Sequence, residues 1–433
     1  MSFSSFISRR LSLRDGGRRF WPPAIIVAVG GVALSFMVML LAIAVVTGFK
    51  AEISRKIMGF DAQIRVMPLA SFYGDEGVAI ALDGNLRQII DIGLGDLPEG
   101  YKPETVVSLR QAAMLKTDND FMGVAFRSFG DGYGWDFERE NLVEGSIPND
   151  SLPRGIMISE TMGDKLGLRP GDKVDAYFFV GETVRPRKFE ITGIYRSDFG
   201  EYDNLVAYAA PSMISRMLKL SGHEGEAVEI RGLPADDIIP AAQRLQSVLS
   251  AAYAKGDIPQ NMAVTSVYSS AAMYFNWLGM LDTNIVVILI LMGCVSGLML
   301  VSCVLILILQ RVRMVGLLKS LGASNRQVGM IFVRLGVRVT LSGLLIGNAV
   351  ALAMIGIQWR WHLLPLDPES YYLSFVPVEL PFSSWAMLNA ATAVMAFVIM
   401  LLPAAAVSRL SPVKVMRFEL VFLAVSGCSL GAS

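Results

Sequence analysis

The sequence predicts a membrane protein with four transmembrane α-helices, arranged as one plus three, and a large α+β domain between the first and the second. Three observations predict it. The 433 residues are 53% hydrophobic with a mean hydropathy of +0.50, and only 18% are charged, where a soluble domain carries about 25%. Four long apolar runs account for most of that deficit. Lysine and arginine collect in three segments that four spans place on one side of the membrane. A cytosolic enzyme, a secreted disulfide scaffold and a disordered chain are excluded.

Residues 1–20 carry Arg9, Arg10, Arg14, Arg18 and Arg19 against Asp15, an amphipathic cytoplasmic segment. The first run, Pro22 to Val46, is uncharged and places a span at 21–48. It exceeds the 7–15 apolar residues of a signal peptide, so an uncleaved span is expected. Residues 49–280 form the inserted domain. The second span, 281–309, contains uncharged Ile285 to Leu309. Residues 310–330 follow as a basic loop with Arg311, Arg313, Lys319 and Arg326 and no acid. The third span, 331–357, contains Arg334 and Arg338. An arginine at mid-bilayer costs about 2.5–3.5 kcal/mol, so the lipid-embedded part begins near Val339. From there to Ile357 a helix covers about 28 Å, enough for the hydrocarbon core. Residues 358–384 hold Trp359, Trp361, Tyr371, Tyr372 and Phe375, an interfacial aromatic belt. The fourth span is 385–407, and the tail 408–433 carries Arg409, Lys414 and Arg417. Both termini are expected in the cytoplasm.

The inserted domain has 32 acidic and 23 basic residues, a net of −9, so the formal neutrality of the chain cancels two opposite faces. Gln63 to Val66, Val228 to Ile230 and Phe189 to Tyr195 alternate like strands. Ile239 to Ala252 is spaced as an amphipathic helix. Ser159 to Lys173 reads as a short helix ended by Gly167, then a turn at Pro170-Gly171-Asp172. The three cysteines are Cys294, Cys303 and Cys428, so no disulfide staples this domain.

Catalytic signatures fail. Two histidines, His223 and His362, exclude a multi-histidine zinc cluster. No phosphate-binding loop of the Gly-x-x-x-x-Gly-Lys-Ser/Thr type occurs, so this chain is not expected to hydrolyse ATP through such a loop. Gly427 to Gly431 matches Gly-x-Ser-x-Gly without a following helix. Ser411 to Lys414 matches Ser-x-x-Lys beside the membrane. Both read as chance matches. Asp198, Glu201 and Asp203 cluster in one loop and are read as a solvated acidic loop in preference to a cation site. No cofactor, no metal and no nucleic-acid partner is expected.

The most informative stretch runs from Leu309 to Val333. Val312, Val315 and Leu318 repeat at three, as do Met314 and Leu317, among basic residues, which gives a short amphipathic helix at the cytoplasmic surface. Gly322 suits its C-terminal cap and Ser324 the cap of the next helix. Gly293-x-x-x-Gly297 and Gly343-x-x-x-Gly347 permit close helix approach, between copies or within one.

Arg311 to Ser324 resembles the coupling helix of the ABC transporter permeases that include the MacB, FtsX and lipoprotein-releasing LolC/LolE subunits. Leu402 to Arg417 is similar to that family's C-terminal end. Phe6 to Arg10, the Gly48-Phe49 pair and Tyr371 to Leu380 resemble the LolC/LolE branch. The resemblance implies a non-catalytic subunit in a bacterial inner membrane, with the inserted domain periplasmic. A separate ABC ATPase dimer would bind beneath two permease chains, a second copy or a paralogue. The coupling contacts would be Arg311, Arg313, Val315, Gly316, Leu317, Leu318, Lys319, Leu321 and Gly322. The substrate would be a lipoprotein lifted from the outer leaflet and handed to a periplasmic carrier. Leu40, Ile43, Val46 and Phe49 would form one wall of a lipid-accessible slot, and Trp277, Leu281 and Ile285 the other. Phe179, Arg185 and Pro186 stand where a carrier-gripping hook would be. Efflux of the MacB type, or control of a cell-wall hydrolase of the FtsX type, is the alternative on the same architecture.

Overall fold

The computed structural model describes residues 23–74, 79–95, 101–118, 120–180, 183–221, 223–310 and 312–408. The basic N-terminal segment and the tail motifs at Ser411 and Gly427 lie outside them. Two units form. One comprises residues up to Lys50, 279–364 and from 376 onward; the other comprises 51–278 and 365–375.

Among the described residues four helices are long and apolar enough to cross a membrane: α1 (Pro23–Phe60), α6 (Ala272–Gln310), α8 (Asn325–Trp361) and α9 (Phe382–Ser408). Every β-strand among the described residues lies between the first two, so the one-plus-three arrangement is observed. Charges at Lys50, Glu52, Arg55 and Lys56 mark where an apolar run stops. They do not stop the helix, because a solvated or protein-covered helix tolerates them. Hence α1 runs on to Phe60 and α6 begins as early as Ala272.

In the membrane unit Val32, Phe36 and Leu40 of α1 pack with Leu300 and Val304 of α6, Phe332 and Val339 of α8, and Leu388 and Met400 of α9. Both glycine pairs serve this internal packing. A Cβ on Gly347 would stand 2.8 Å from the Ala33 carbonyl oxygen, and one on Gly343 would meet Val32 at 2.7 Å. Gly293 and Gly297 face Met395 and Ile399 of α9 in the same way. Gly48 lies against the backbone of Pro377 and Glu379 at under 3 Å for a hypothetical Cβ, and the Glu379 N–H donates to the Ala44 carbonyl at 3.0 Å. Only glycine admits that approach.

The other unit is α+β. The strands of its larger sheet are β1 (Ile64–Pro68), β2 (Glu104–Lys116), β3 (Phe121–Phe129), β4 (Leu142–Gly145), β5 (Gly155–Ser159), β6 (Lys173–Val180), β7 (Thr183–Tyr195), β8 (Val206–Ala209), β9 (Ala227–Arg231) and β10 (Met262–Ser266). Its longer helices are α2 (Gly84–Leu94), α3 (Glu160–Leu166), α4 (Pro211–Leu218) and α5 (Ile238–Lys255). The order β10-β1-β9-β2 makes an antiparallel sheet. Ile64, Val66, Val228 and Ile230 face Leu86 and Ile90 of α2 and Leu245 and Leu249 of α5.

The long strand β2 then enters a second layer. It pairs with β3 and β6, β6 with β7, β7 with β5, β5 with β8, and β8 returns to β3. These six strands close a barrel filled by Phe126, Phe178, Phe189, Ile156 and Ile158. Closure leaves no open edge within that layer. The short helix α3 starts at Ser159, whose hydroxyl accepts from the Met162 N–H, and ends at Gly167 with φ of 66°.

Candidate functional site

The loop between α6 and α8 holds α7 (Val312–Ser320). Gly322 closes it with φ of 93°, in the left-handed region that favours glycine. Ser324 then caps α8: its hydroxyl accepts from the Gln327 N–H, and the Gln327 amide oxygen accepts from the Ser324 N–H, a reciprocal capping box. Val315 is buried in the bundle core. Leu317 and Leu321, four residues apart, are 62% and 76% exposed. One face of α7 thus anchors the helix and another offers apolar surface. Gly316, Leu318 and Lys319 are half-buried. Arg311 lies outside the described residues, and so does the side chain of Arg313.

Of the expected slot residues, Ile43, Val46, Phe49, Leu281 and Ile285 are half-buried in the membrane unit. Leu40 has no exposed surface. It belongs to the bundle core, because apolar composition does not distinguish a lipid-facing side from a helix-facing one. Trp277, 37% exposed, belongs to the other unit. Beside Phe49 and Leu281, Lys50 Nζ donates to both carboxylate oxygens of Asp282 at 2.7 Å, joining α1 to α6.

The expected carrier residues do not share a surface. In the β6–β7 hairpin Phe179 pairs with Val184, Tyr177 with Pro186, and Phe178 with Arg185. Directly paired residues point to one side and successive pairs alternate. Phe179, Val184 and Pro186 are exposed, whereas Phe178 fills the barrel. Arg185 lies on that inner side and donates to the Met217 carbonyl at 2.8 Å.

The acidic loop is likewise divided. Asp203 is 3% exposed and accepts from the Ser197 hydroxyl at 2.6 Å. Burial pushes its carboxyl up to about 6. Glu201 accepts from the Tyr274 hydroxyl. Among the described residues no group of three histidine, cysteine or acidic side chains is placed to hold a metal.

Sequence reasoning missed two polar constellations. In the membrane unit Trp385 Nε1 donates to Asn348 Oδ1, and Asn348 Nδ2 donates to Asn389 Oδ1, each at 2.8 Å. Lone amides within apolar runs were the available signal. In the other unit Glu229, fully buried, accepts from Arg127 at 2.8 and 3.1 Å and from Arg231 at 3.0 Å. Although its burial opposes ionisation, the guanidinium groups of Arg127, Arg231 and Arg110 hold its carboxyl well below the usual range. Asp61, bonded by Arg110 at 2.7 Å and by the Tyr202 hydroxyl at 2.6 Å, is lowered too.

Comparison with known proteins adds the family. Residues 25–248 match a MacB-like periplasmic core domain, and residues 262–412 match an FtsX-like permease C-terminal domain. The lipoprotein-releasing system transmembrane protein LolC of Xylella fastidiosa is 24% identical over 90% of this chain and 92% of its own length. The corresponding LolE protein of Haemophilus influenzae is 20% identical over 89% and 92%. The crystallised extracellular domain of the noncanonical ABC-type transporter YknZ from Gram-positive bacteria covers 47% of this chain and 99% of its own, with 15% identity and a TM-score of 0.31. With the four spans and the inserted α+β domain, the chain belongs to the ABC transporter permeases that join a MacB-like periplasmic core domain to an FtsX-like permease C-terminal domain.

Proposed function

We propose that this chain is a non-catalytic permease subunit of an ATP-driven complex in a bacterial inner membrane. The complex extracts lipoproteins from the outer leaflet, with the α+β domain in the periplasm and both termini in the cytoplasm. The observation that carries the coupling role is α7: anchored by Val315, it leaves Leu317 and Leu321 exposed for a separate ATPase chain. The lipoprotein substrate is supported by the names of the relatives that match along most of the chain. In this reading the ATPase dimer closes beneath two permease chains and displaces α7, and that displacement passes along α1 and α6. Ile43, Val46 and Phe49, with Leu281 and Ile285, would contact acyl chains. The exposed face of the β6–β7 hairpin, with Phe179 and Pro186, would contact a carrier, and Arg185 would brace it from the inner side.

Charge reversal at Arg313 or Lys319 tests the coupling role. ATP hydrolysis and lipoprotein release are measured together in membranes containing the whole complex. Hydrolysis should continue while release is lost; variants that keep full release refute the role. Mass spectrometry of what co-purifies with the detergent-solubilised protein tests the substrate. An ATPase with triacylated lipoproteins supports release. An ATPase with an adaptor or a hydrolase, and no lipoprotein, moves the function to efflux or to cell-wall control.

A further inference from the structure

We propose that the buried ion network centred on Glu229 is the joint through which displacement of α1 turns the α+β domain, with Arg231 and Glu229 as its positioning residues. This rests on the coupling role proposed above. The last ten residues of α1, Ala51 to Phe60, belong to the domain unit. A helix end leaves its final carbonyls without helical partners and with partial negative charge. Here Arg231 Nη1 donates to the carbonyls of Met58 and Gly59 at 3.0 and 2.9 Å, while Arg231 Nη2 holds Glu229. Glu229 is also held by Arg127 and lies 3.9 Å from Arg110. Arg110 in turn binds Asp61, the residue after the helix. The circuit therefore leaves the helix end on one side and returns to it on the other, through strands β9, β2 and β3.

Packing surrounds that circuit. Phe60, fully buried, stacks on Tyr202 at 4.5 Å between ring centres and meets Phe137 edge-on at 5.0 Å. Lys56, one turn earlier, donates to the carbonyls of Ser197 and Tyr372.

Stability alone does not call for such a network. A buried ion pair replaced by well-packed apolar residues is often neutral or more stable, whereas removing one partner strands a charge. What the ionic circuit adds is fixed direction. An apolar contact slides, but Arg231 meets two carbonyls and a carboxylate only in one orientation of the helix end. Tilting α1 against the sheet would break charge-assisted bonds in a site where water does not replace them. The joint therefore hands over a tilt of α1 as a rotation of the sheet.

The test uses the full chain with its ATPase in membranes, in a cysteine-free background, spin-labelled at A51C and K188C, both exposed positions. The distance distribution between the labels should be narrow and unchanged between the nucleotide-free and the ATP-orthovanadate-trapped complex. In E229Q and R231M the distribution should broaden, and release should fall about tenfold while ATP hydrolysis persists. A broad or nucleotide-dependent distribution in the parent overturns the proposal, and this measurement needs no variant at the joint itself. Variants that match the parent in both distance and release overturn it as well. Absence of lipoprotein release from the parent complex overturns the functional reading instead, and the label distance still decides the joint.

Discussion

Replacing Asp203 by asparagine should make the protein less sensitive to pH between about 4 and 6, because burial raises the folded-state pKa of Asp203 from 3.8 to about 6. For an acid the sign is then reversed from the usual case. The native state holds the proton more tightly than the unfolded chain, so this group's contribution is fully present below about 4. It declines as pH rises through the folded value and stays level above it. A rise of about two pKa units at about 1.4 kcal/mol each sets a ceiling of about 3 kcal/mol on that loss, and relaxation around the buried carboxylate lowers it. Asparagine carries no charge and keeps an oxygen for the Ser197 hydroxyl, now 2.6 Å from the carboxylate. Its amide adds an offset that does not vary with pH. The assay is thermal denaturation of the full-length protein in detergent, parent and Asp203→Asn, at pH 4, 5, 6 and 7. Each 1 kcal/mol should appear as about 2–4 °C for a domain of this size. The Tm difference should shift in favour of the asparagine variant as pH rises from 4 to 7. Glu229 and Asp61, held low by arginines, lose their contribution only at lower pH and are common to both proteins. Parallel curves across this range would refute the assignment of Asp203 as a carboxyl whose pKa burial raises.

Two further predictions concern the membrane unit. Gly347→Ala places its Cβ 2.8 Å from the Ala33 carbonyl oxygen, and backbone does not yield as a flexible side chain would; a loss of about 1–3 kcal/mol is expected, read as a lower unfolding temperature in detergent. Asn348→Leu removes the acceptor of Trp385 Nε1 and a partner of Asn389. That should cost about 1 kcal/mol, visible in the same assay, with the Asn348→Leu/Asn389→Leu pair less than additive because the two amides share one bond.

How far the sequence carried the fold depended on what the surroundings impose. Lipid imposes composition and length, so four spans and their one-plus-three order were legible from apolar runs and arginines alone. Alternation located β1, β7 and β9, and Gly167 located the end of α3. Barrel closure was not legible, because it depends on the parallel pairings β3–β8 and β5–β7 between segments separated by at least one further element. Residue type also leaves open what geometry decides. Phe179, Arg185 and Pro186 suit a gripping surface by chemistry, yet one step of strand register sends Arg185 to the opposite side. Leu40 suits a lipid-facing wall, yet lipid and neighbouring helices select the same residues.

Glu229 shows the same limit more sharply. Between Val228 and Ile230 it reads as the outward residue of a strand with one wet face. In the fold that face is covered too: α2 and α5 bury Val228 and Ile230, and the end of α1 lies over Glu229 and Arg231. A charge pattern that announces solvent in a two-layer sheet therefore announces, in a three-layer one, a buried ionic seam. Arg110, Arg127 and Arg231 on the same side as Glu229 are what distinguish the two cases, since an excess of arginine converging on one carboxylate from three strands is wasted in water and is strong only where water is absent. The seam thus marks where a third layer sits, and here that layer is the helix that crosses the membrane.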